Sequence, residues 1–385
     1  MTKSQSMPNL NVSQMPIQIG IDTRMIRHSG IGRYLDNLLR EYQKESVSEF
    51  HYYLFGNPTL LNTYCQKDRF SIISYTAPIY GIEEQLFYPY KYFNQTALLH
   101  VPHYNIPIKY RGKLVITIHD MIHYHFPRSI SNPLGRYYSK YLFCKAINHA
   151  TRIITVSQST KNDIIQYLRV PGEKIDVIYF GSPQGFSLSP DSIVSKSILS
   201  KYNIQKPYLL HVGIDKPHKN LERLIQAFGM FLEKTKLDYQ LVLVGPKKNL
   251  SVTMRTNIHK YGLKSKIIFT DYIPDSELNV LYHNAELFIF PSLYEGFGLP
   301  PLEAMSAGIP VIVSNIPSLR ETVGDSALSF DPYVTESIVN AILQVLSNPL
   351  IRLELIAKGK KRVAEYSCAQ TAKQTLDVYR KVLNS

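Results

Sequence analysis

The sequence predicts an α/β protein of two Rossmann-like, doubly wound domains facing each other across a cleft. Three observations lead there. The chain has 385 residues, too many for one ordinary core and suited to two domains of roughly 150 to 200 residues each. From residue 207 onward, short apolar runs alternate with segments of helical periodicity, the pattern of a parallel sheet covered on both faces. Between that half and a looser N-terminal version of it lies residues 181–206, rich in Ser, Pro and Gly without a strong period, which reads as a linker. The expected division is therefore an N-terminal domain over 16–185, a C-terminal domain over 200–366, and a last helix over 367–385 packing back across the cleft.

In the N-terminal half, strands are expected near Ile17 to Asp22, Ala97 to Val101, Leu114 to Ile118, Arg152 to Val156 and Lys174 to Ile178. After the first of them, HSGIGRY sets Gly30 and Gly32 at a strand-to-helix turn leading into a helix over Arg33 to Tyr42. A tyrosine-rich stretch, YTAPIYGIEEQLFYPYKYFNQTALLHVPHYNIP, is compatible with an aromatic core and equally with sugar stacking or a membrane interface. In the C-terminal half the runs PYLLHVG, QLVLVG, KIIF, ELFIFPS, IPVIVS and ALSF are the strands. Helical segments over Glu336 to Leu346, Ile351 to Glu365 and Ala369 to Leu383 follow.

A formal charge of +13 calls for a negatively charged partner: nucleic acid, an anionic membrane face or a phosphorylated substrate. The basic residues are dispersed and carry no zinc-finger, RNP or helix-turn-helix pattern, which argues against nucleic acid. Met1 to Gln14 is polar, without the apolar core of a secretory signal, and no later stretch reaches about 18 apolar residues, so a cytoplasmic location is expected. Cys65, Cys144 and Cys368 show neither CxxC pairing nor metal-ligand spacing.

The most informative string is FIFPSLYEGFGLPPLEAMSAGIP, residues 288–310, a strand running into a glycine-bearing loop and then a short helix opened by Pro300 and Pro301 and closed by Gly308. Glu295 and Glu303 frame it at the C-terminal edge of the sheet, where α/β folds bind ligands. Gly296 and Gly298 uncover backbone N–H groups beside a helix N-terminus, a favourable setting for a diphosphate. Carboxylates accept paired hydrogen bonds from vicinal hydroxyls, so acids on either side of a phosphate pocket suit a hexose and a ribose. Alone, the two acids are equally well a turn acid and a helix N-terminal acid. His119 and Asp120, in VITIHDMIHYHFP, also end a strand at the functional edge. A metal site from His119, His123 and His125 lacks helical spacing and a carboxylate partner, and no Asp-x-Asp motif occurs, so no metal or other cofactor is expected.

PSLYEGFGLPPLEAMSAGIPVIVSNIPSLRE resembles the donor-site signature of family 4 glycosyltransferases, which have the GT-B fold and retain anomeric configuration. The resemblance spans about Ile17 to Tyr379, strongest from Tyr208 to Pro332 and weak between Glu41 and Leu98. It implies that Glu295 contacts the donor sugar with the backbone of Gly296, Phe297 and Gly298, that Leu299 completes this loop, and that Glu303 holds the ribose. HVGIDKPHKNLERLIQAF is similar to the family's glycine-to-lysine loop, from Gly213 to Lys219, ahead of a helix capped by Asn220. Lys219 would then stabilise the departing diphosphate, with Glu295 and His119 completing the catalytic set. Where many members have an arginine after the glycine, this chain has Ile214, leaving that contact to His218 or Lys216. By the same resemblance Gly30 and Gly32 approach the donor, His119 reaches the transferred sugar, Tyr272 and Ile273 meet the nucleobase, and Asp120 and Ser157 lie on the acceptor side. Ser157 reads equally well as a simple helix cap. The implied activity is hexosyl transfer from a nucleotide sugar, with GDP-mannose preferred because PHKNLERLIQAF looks like bacterial mannosyltransferases of surface-polysaccharide assembly. The implied acceptor is a saccharide or lipid-linked saccharide, and an anionic inner-membrane face is a further partner. A UDP-sugar enzyme, a GT-B epimerase and a non-catalytic saccharide-binding protein are the alternatives.

Overall fold

The computed structural model describes residues 16–44, 49–65, 68–127, 133–181, 186–205, 207–245 and 250–385. Expectations for Met1 to Gln14, and for positions 182–185 and 206 of the linker, fall outside them.

Each half contains one all-parallel sheet. In the first, β1 (Ile17–Asp22), β2 (Phe50–Gly56), β3 (Phe70–Ser74), β4 (Leu98–Val101), β5 (Leu114–Ile118), β6 (Arg152–Thr155) and β7 (Ile175–Val177) lie in the order β3-β2-β1-β4-β5-β6-β7. In the second, β8 (Tyr208–Val212), β9 (Gln240–Val244), β10 (Ile267–Phe269), β11 (Leu287–Phe290), β12 (Val311–Ser314) and β13 (Leu328–Phe330) lie in the order β10-β9-β8-β11-β12-β13. Every residue of β4, β5, β9, β11 and β12 is buried, which is why these strands are predominantly apolar, with His100, Thr117, Gln240 and Ser314 the polar residues among them. Strand order reverses between β1 and β4 and between β8 and β11, so each sheet has a crevice at its C-terminal edge at that point.

Strands β2 and β3 were not expected from the sequence. FHYYLFG alternates only in its first half, and aromatic packing decides its conformation. Tyr52 stacks between Tyr42 at 4.9 Å and Phe70 at 5.2 Å, and such pairs add to burial. In the tyrosine-rich stretch, Tyr75, Tyr88 and Tyr104 are core residues, while Tyr80 and Tyr92 are exposed. That segment is pinned by buried Arg24, which pairs with Asp22 at 2.7 Å and Glu84 at 3.3 Å. Arg24 also donates to the hydroxyls of Tyr75 and Tyr88 at 3.2 and 3.1 Å. A buried guanidinium is tolerated only with this degree of pairing.

The last helix, Cys368–Leu383, packs on the first helix, Ser29–Lys44, and on β4. Its Tyr379 hydroxyl shares a 2.6 Å hydrogen bond with His100 Nδ1, whose Nε2 meets Thr117 Oγ1 at 2.8 Å. Lys113 donates to the carbonyls of Val382 and Leu383 at 2.8 and 2.9 Å, satisfying the helix C-terminus. The backbone at Gly181 lies so close to Cys368 that a Cβ would sit 2.3 Å from the Cys368 nitrogen. The two passages of the chain between the domains therefore touch. Among the described residues no single helix is long and apolar enough to cross a membrane.

Tyr379→Ala should remove about 3–5 kcal/mol by opening a cavity beneath the first sheet, whereas Tyr379→Phe should cost about 1–2 kcal/mol by leaving His100 Nδ1 unpaired. Differential scanning calorimetry of both variants checks the order and size of these losses.

Candidate active site

Beyond β11 the chain runs through Pro291 and Ser292 to the glycine-bearing loop. The loop is fixed from both sides: Leu293 N–H donates to the His218 carbonyl at 2.7 Å, and Thr322 Oγ1 donates to the Phe297 carbonyl at 2.8 Å. Gly298 adopts φ +124°, and a Cβ there would lie 2.7 Å from Leu319 Cδ2, so conformation and space both require glycine. The helix Leu299–Ser306 follows with prolines in its first turn.

Glu295 and Lys219 form a 2.6 Å ion pair, with Lys219 Nζ 5.0 Å from the Phe290 ring centroid. Lys219 closes the 3₁₀ turn Pro217–Lys219. The next residue, Asn220, is left-handed at φ 58° and makes no side-chain cap, contrary to the sequence expectation. Its amide instead donates to the carbonyls of Pro291 and Pro332 at 3.1 and 2.8 Å, tying the lysine turn to the glutamate loop. A Cβ at Gly213 would lie 3.0 Å from His211 Nε2 and 3.6 Å from Lys219 Cδ, so this glycine borders the lysine. His218 is buried, and burial together with Lys219 lowers its pKa to about 4. It is neutral at physiological pH, so positive charge on this loop comes from Lys216 and Lys219. After β10, Tyr272 is exposed and Ile273 buried, and Gly245 N–H donates to the Asp271 carbonyl at 3.1 Å.

The N-terminal domain faces this loop with the end of β5. His119 Nε2 lies 3.1 Å from the Pro102 carbonyl. It must therefore carry the proton, which leaves Nδ1 as a lone-pair acceptor. Nδ1 is buried without a partner among the described residues, and burial lowers the imidazole pKa to about 4. His119 is thus a neutral acceptor for a hydroxyl. Asp120 accepts from Ile122 N–H at 2.9 Å, and burial raises its pKa, with Glu295 adding to the rise. His125 pairs with Asp163 at 3.1 Å, away from His119.

Two N-terminal expectations are corrected. Gly30 and Gly32 do not precede the helix but form its first turn, because it starts at Ser29. A Cβ at Gly32 would lie 2.5 Å from the Ile26 carbonyl, whereas Gly30 faces open space. Ser157 is fully buried, and its hydroxyl accepts from Thr160 N–H at 3.0 Å as the cap of helix Gln158–Leu168. It offers no group to an acceptor.

The domains meet through these same residues. A Cβ at Gly296 would lie 1.8 Å from the His119 carbonyl oxygen and 2.9 Å from Asp120 Cβ. Tyr294 donates to Asp163 at 2.7 Å and accepts from Met121 N–H at 3.1 Å. Glu321 accepts from Ser159 N–H at 2.9 Å, an acid at the N-terminus of an N-domain helix. Arg33 pairs with Asp275 at 2.7 Å and with Glu303, and its guanidinium lies 5.5 Å from the Phe186 ring centroid. Glu303, almost fully buried, also accepts from the Tyr282 hydroxyl at 2.8 Å. Sequence reasoning passed over Arg33, Tyr294 and Glu321. None of the three left a local signal, because each one's partner lies on the opposite domain.

Residues 28–182 match Glycosyltransferase Family 4 and residues 196–362 match Glycosyl transferases group 1. O-antigen chain mannosyltransferase B of Escherichia coli is 31% identical over 285 residues, 74% of each chain. The chain belongs to the family 4 glycosyltransferases. O-antigen chain mannosyltransferase RfbU of Salmonella typhimurium is 28% identical, covering 77% of this glycosyltransferase and 79% of RfbU. The serotype-specific mannosyltransferase WbdA of Escherichia coli is 33% identical over 241 residues, which are 61% of this chain but 29% of WbdA. Among solved structures, Anabaena Alr3699/HepE in complex with UDP and glucose superposes with a TM-score of 0.74 at 18% identity, covering 95% of this chain and 100% of that one. WaaG, a glycosyltransferase involved in lipopolysaccharide biosynthesis, gives 0.71 at 16%, covering 94% and 99%. The GT-B fold is thereby shown, and the enzyme is a glycosyltransferase.

Gly296→Ala should force the domains apart, raising the radius of gyration in small-angle scattering and abolishing transfer while leaving both sheets folded by circular dichroism. His119, His211 and His218 are each lowered by burial from 6.5 to about 4. The unfolded chain binds their protons first, so stability is full above pH 6.5 and falls as pH drops towards 4. At pH 5 the loss is about 2 kcal/mol per histidine, to be measured as a drop in melting temperature between pH 7.5 and 5.

Proposed function

We propose that this enzyme transfers mannose from GDP-mannose to a saccharide or lipid-linked saccharide with retention of configuration. The observation that carries the reading is the Lys219–Glu295 pair, set at the edge of β8 and β11 and pressed through Gly296 against His119. Glycosyl transfer builds charge on the departing diphosphate. An ammonium already in position, with the N–H groups at the start of helix Leu299–Ser306, stabilises that charge more in the transition state than before it. Glu295 exchanges Lys219 for donor-sugar hydroxyls, and His119 Nδ1 accepts from another. With no carboxylate assigned as nucleophile, the acceptor attacks from the face the diphosphate leaves, and a diphosphate oxygen takes the acceptor proton. Glu303 takes the ribose hydroxyls once Arg33 releases it, and the base lies along Tyr272 and Ile273. No metal is assigned to the diphosphate. The mannosyl donor is supported by the names of the relatives in Escherichia coli and Salmonella typhimurium.

Isothermal titration with GDP, UDP and their sugar conjugates tests this. GDP should bind in the micromolar range, with Lys219→Ala and Glu303→Ala each losing at least tenfold. UDP binding in its place would keep the mechanism and replace the donor, and absence of nucleotide binding would overturn the assignment of the site. Arg33→Gln should lower the melting temperature of the free enzyme, because buried Glu303 loses its partner. The same variant should enlarge the thermal shift produced by nucleotide.

A further inference from the structure

A cavity of about 300 Å³ opens beside the site and is used by nothing described so far. It lies between the end of β5 and the helix Pro133–His149, with Asp120, His123, Arg136, Tyr137, Lys140 and Phe143 among its lining. The size is at the lower end of small-molecule sites. Its inner end borders the reaction centre, because Asp120 Cβ lies 2.9 Å from where a Cβ at Gly296 would sit, one residue from Glu295. Its outer end is cationic: Arg136 and Lys140 share it, and Lys140 Nζ lies 5.7 Å from the Tyr124 ring centroid. Asp120 is the single acid among the residues lining it. A ligand that fits has a hydroxyl to meet a carboxylate at one end and an anion to meet two cations at the other.

The helix continues the cavity outward. Leu134, Tyr137 and Tyr141 fall at spacings of three and four residues, hence on one face, and all are exposed, Leu134 and Tyr137 by 77% and 76%. Lys145 lies 5.6 Å from the Tyr141 ring centroid. An exposed apolar strip bordered by cations marks a contact surface for an anionic amphiphile.

Building on the transferase reading, we propose that this cavity is the acceptor site and takes a glycan carried on an anionic lipid. The terminal sugar hydroxyl lies at Asp120, a phosphate lies between Arg136 and Lys140, and the hydrocarbon chain lies along Leu134, Tyr137 and Tyr141. The carrier thereby holds its sugar towards Glu295 while its tail stays outside.

Titration of the full chain with dodecyl phosphate below its micellar concentration tests this, with inorganic phosphate and neutral dodecyl maltoside as comparisons. Dodecyl phosphate should bind at least tenfold more tightly than either. The double variant Arg136→Glu/Lys140→Glu should lose at least tenfold, and Tyr137→Ser/Tyr141→Ser should lose severalfold, with GDP binding unchanged in both. Equal binding of dodecyl maltoside, equal binding of inorganic phosphate, or indifference to the charge reversal would overturn the proposal. Loss of GDP binding by the unaltered protein would count against the donor reading alone, since the alkyl-phosphate titration reads the cavity without a nucleotide.

Discussion

The contact of Gly296 with the backbone of His119 is the constraint on which the arrangement depends. No residue with a side chain fits there. The loop that carries Glu295 must therefore be bare at its tip, and the end of β5 must come to it without an intervening side chain. Hydrogen bonds from Tyr294 to Asp163 and from Met121 to Tyr294 keep the two surfaces in register. Backbone meeting backbone leaves no room for a side chain between the two loops, and the Lys219–Glu295 pair beside them is largely buried, which strengthens it.

A crevice of that kind cannot leave charges unsatisfied, and the protein handles its own by pairing them across elements. Lys219 answers Glu295 within the C-terminal domain, and Arg33 reaches from the N-terminal domain to answer Glu303. Removing a partner from a buried pair is costly, so any group that displaces one must itself satisfy the charge left behind. In the function proposed above, substrate groups enter by taking the place of these protein partners. The neutral histidines follow the same logic: burial, reinforced at His218 by the neighbouring Lys219, leaves His119 and His218 without their protons.

Much of this was legible in the sequence, and the boundary of legibility has physical causes. The central strands of the second sheet, β9, β11 and β12, are buried along their whole length, so their apolar composition betrays them, and glycines at 213, 296 and 298 stand where neighbouring atoms crowd a side chain. Strands β2 and β3 escaped because their aromatic residues serve packing in three dimensions and show no clean period. Asn220 and Ser157 show how one residue type supports two local roles: each is a good helix cap by chemistry, but only Ser157 caps, while Asn220 is turned left-handed to bridge two loops. Arg33, Tyr294 and Glu321 act on the opposite domain, and a partner more than 130 positions away leaves no mark on local pattern.

The adjacency of Gly181 and Cys368 has a mechanical consequence. Two covalent straps that cross between bodies at separate points would resist most relative movement, whereas straps that meet at one point behave as a single pivot. The glycosyltransferase is built in the second way, with its tail helix anchored on the far side of that pivot by Tyr379 and Lys113. The lobes are thereby left with rotation about one corner and little freedom to slide or separate. A small angular change there becomes a large displacement at the distant mouth, so a rotation that opened the crevice would bring it back to the same alignment on closing.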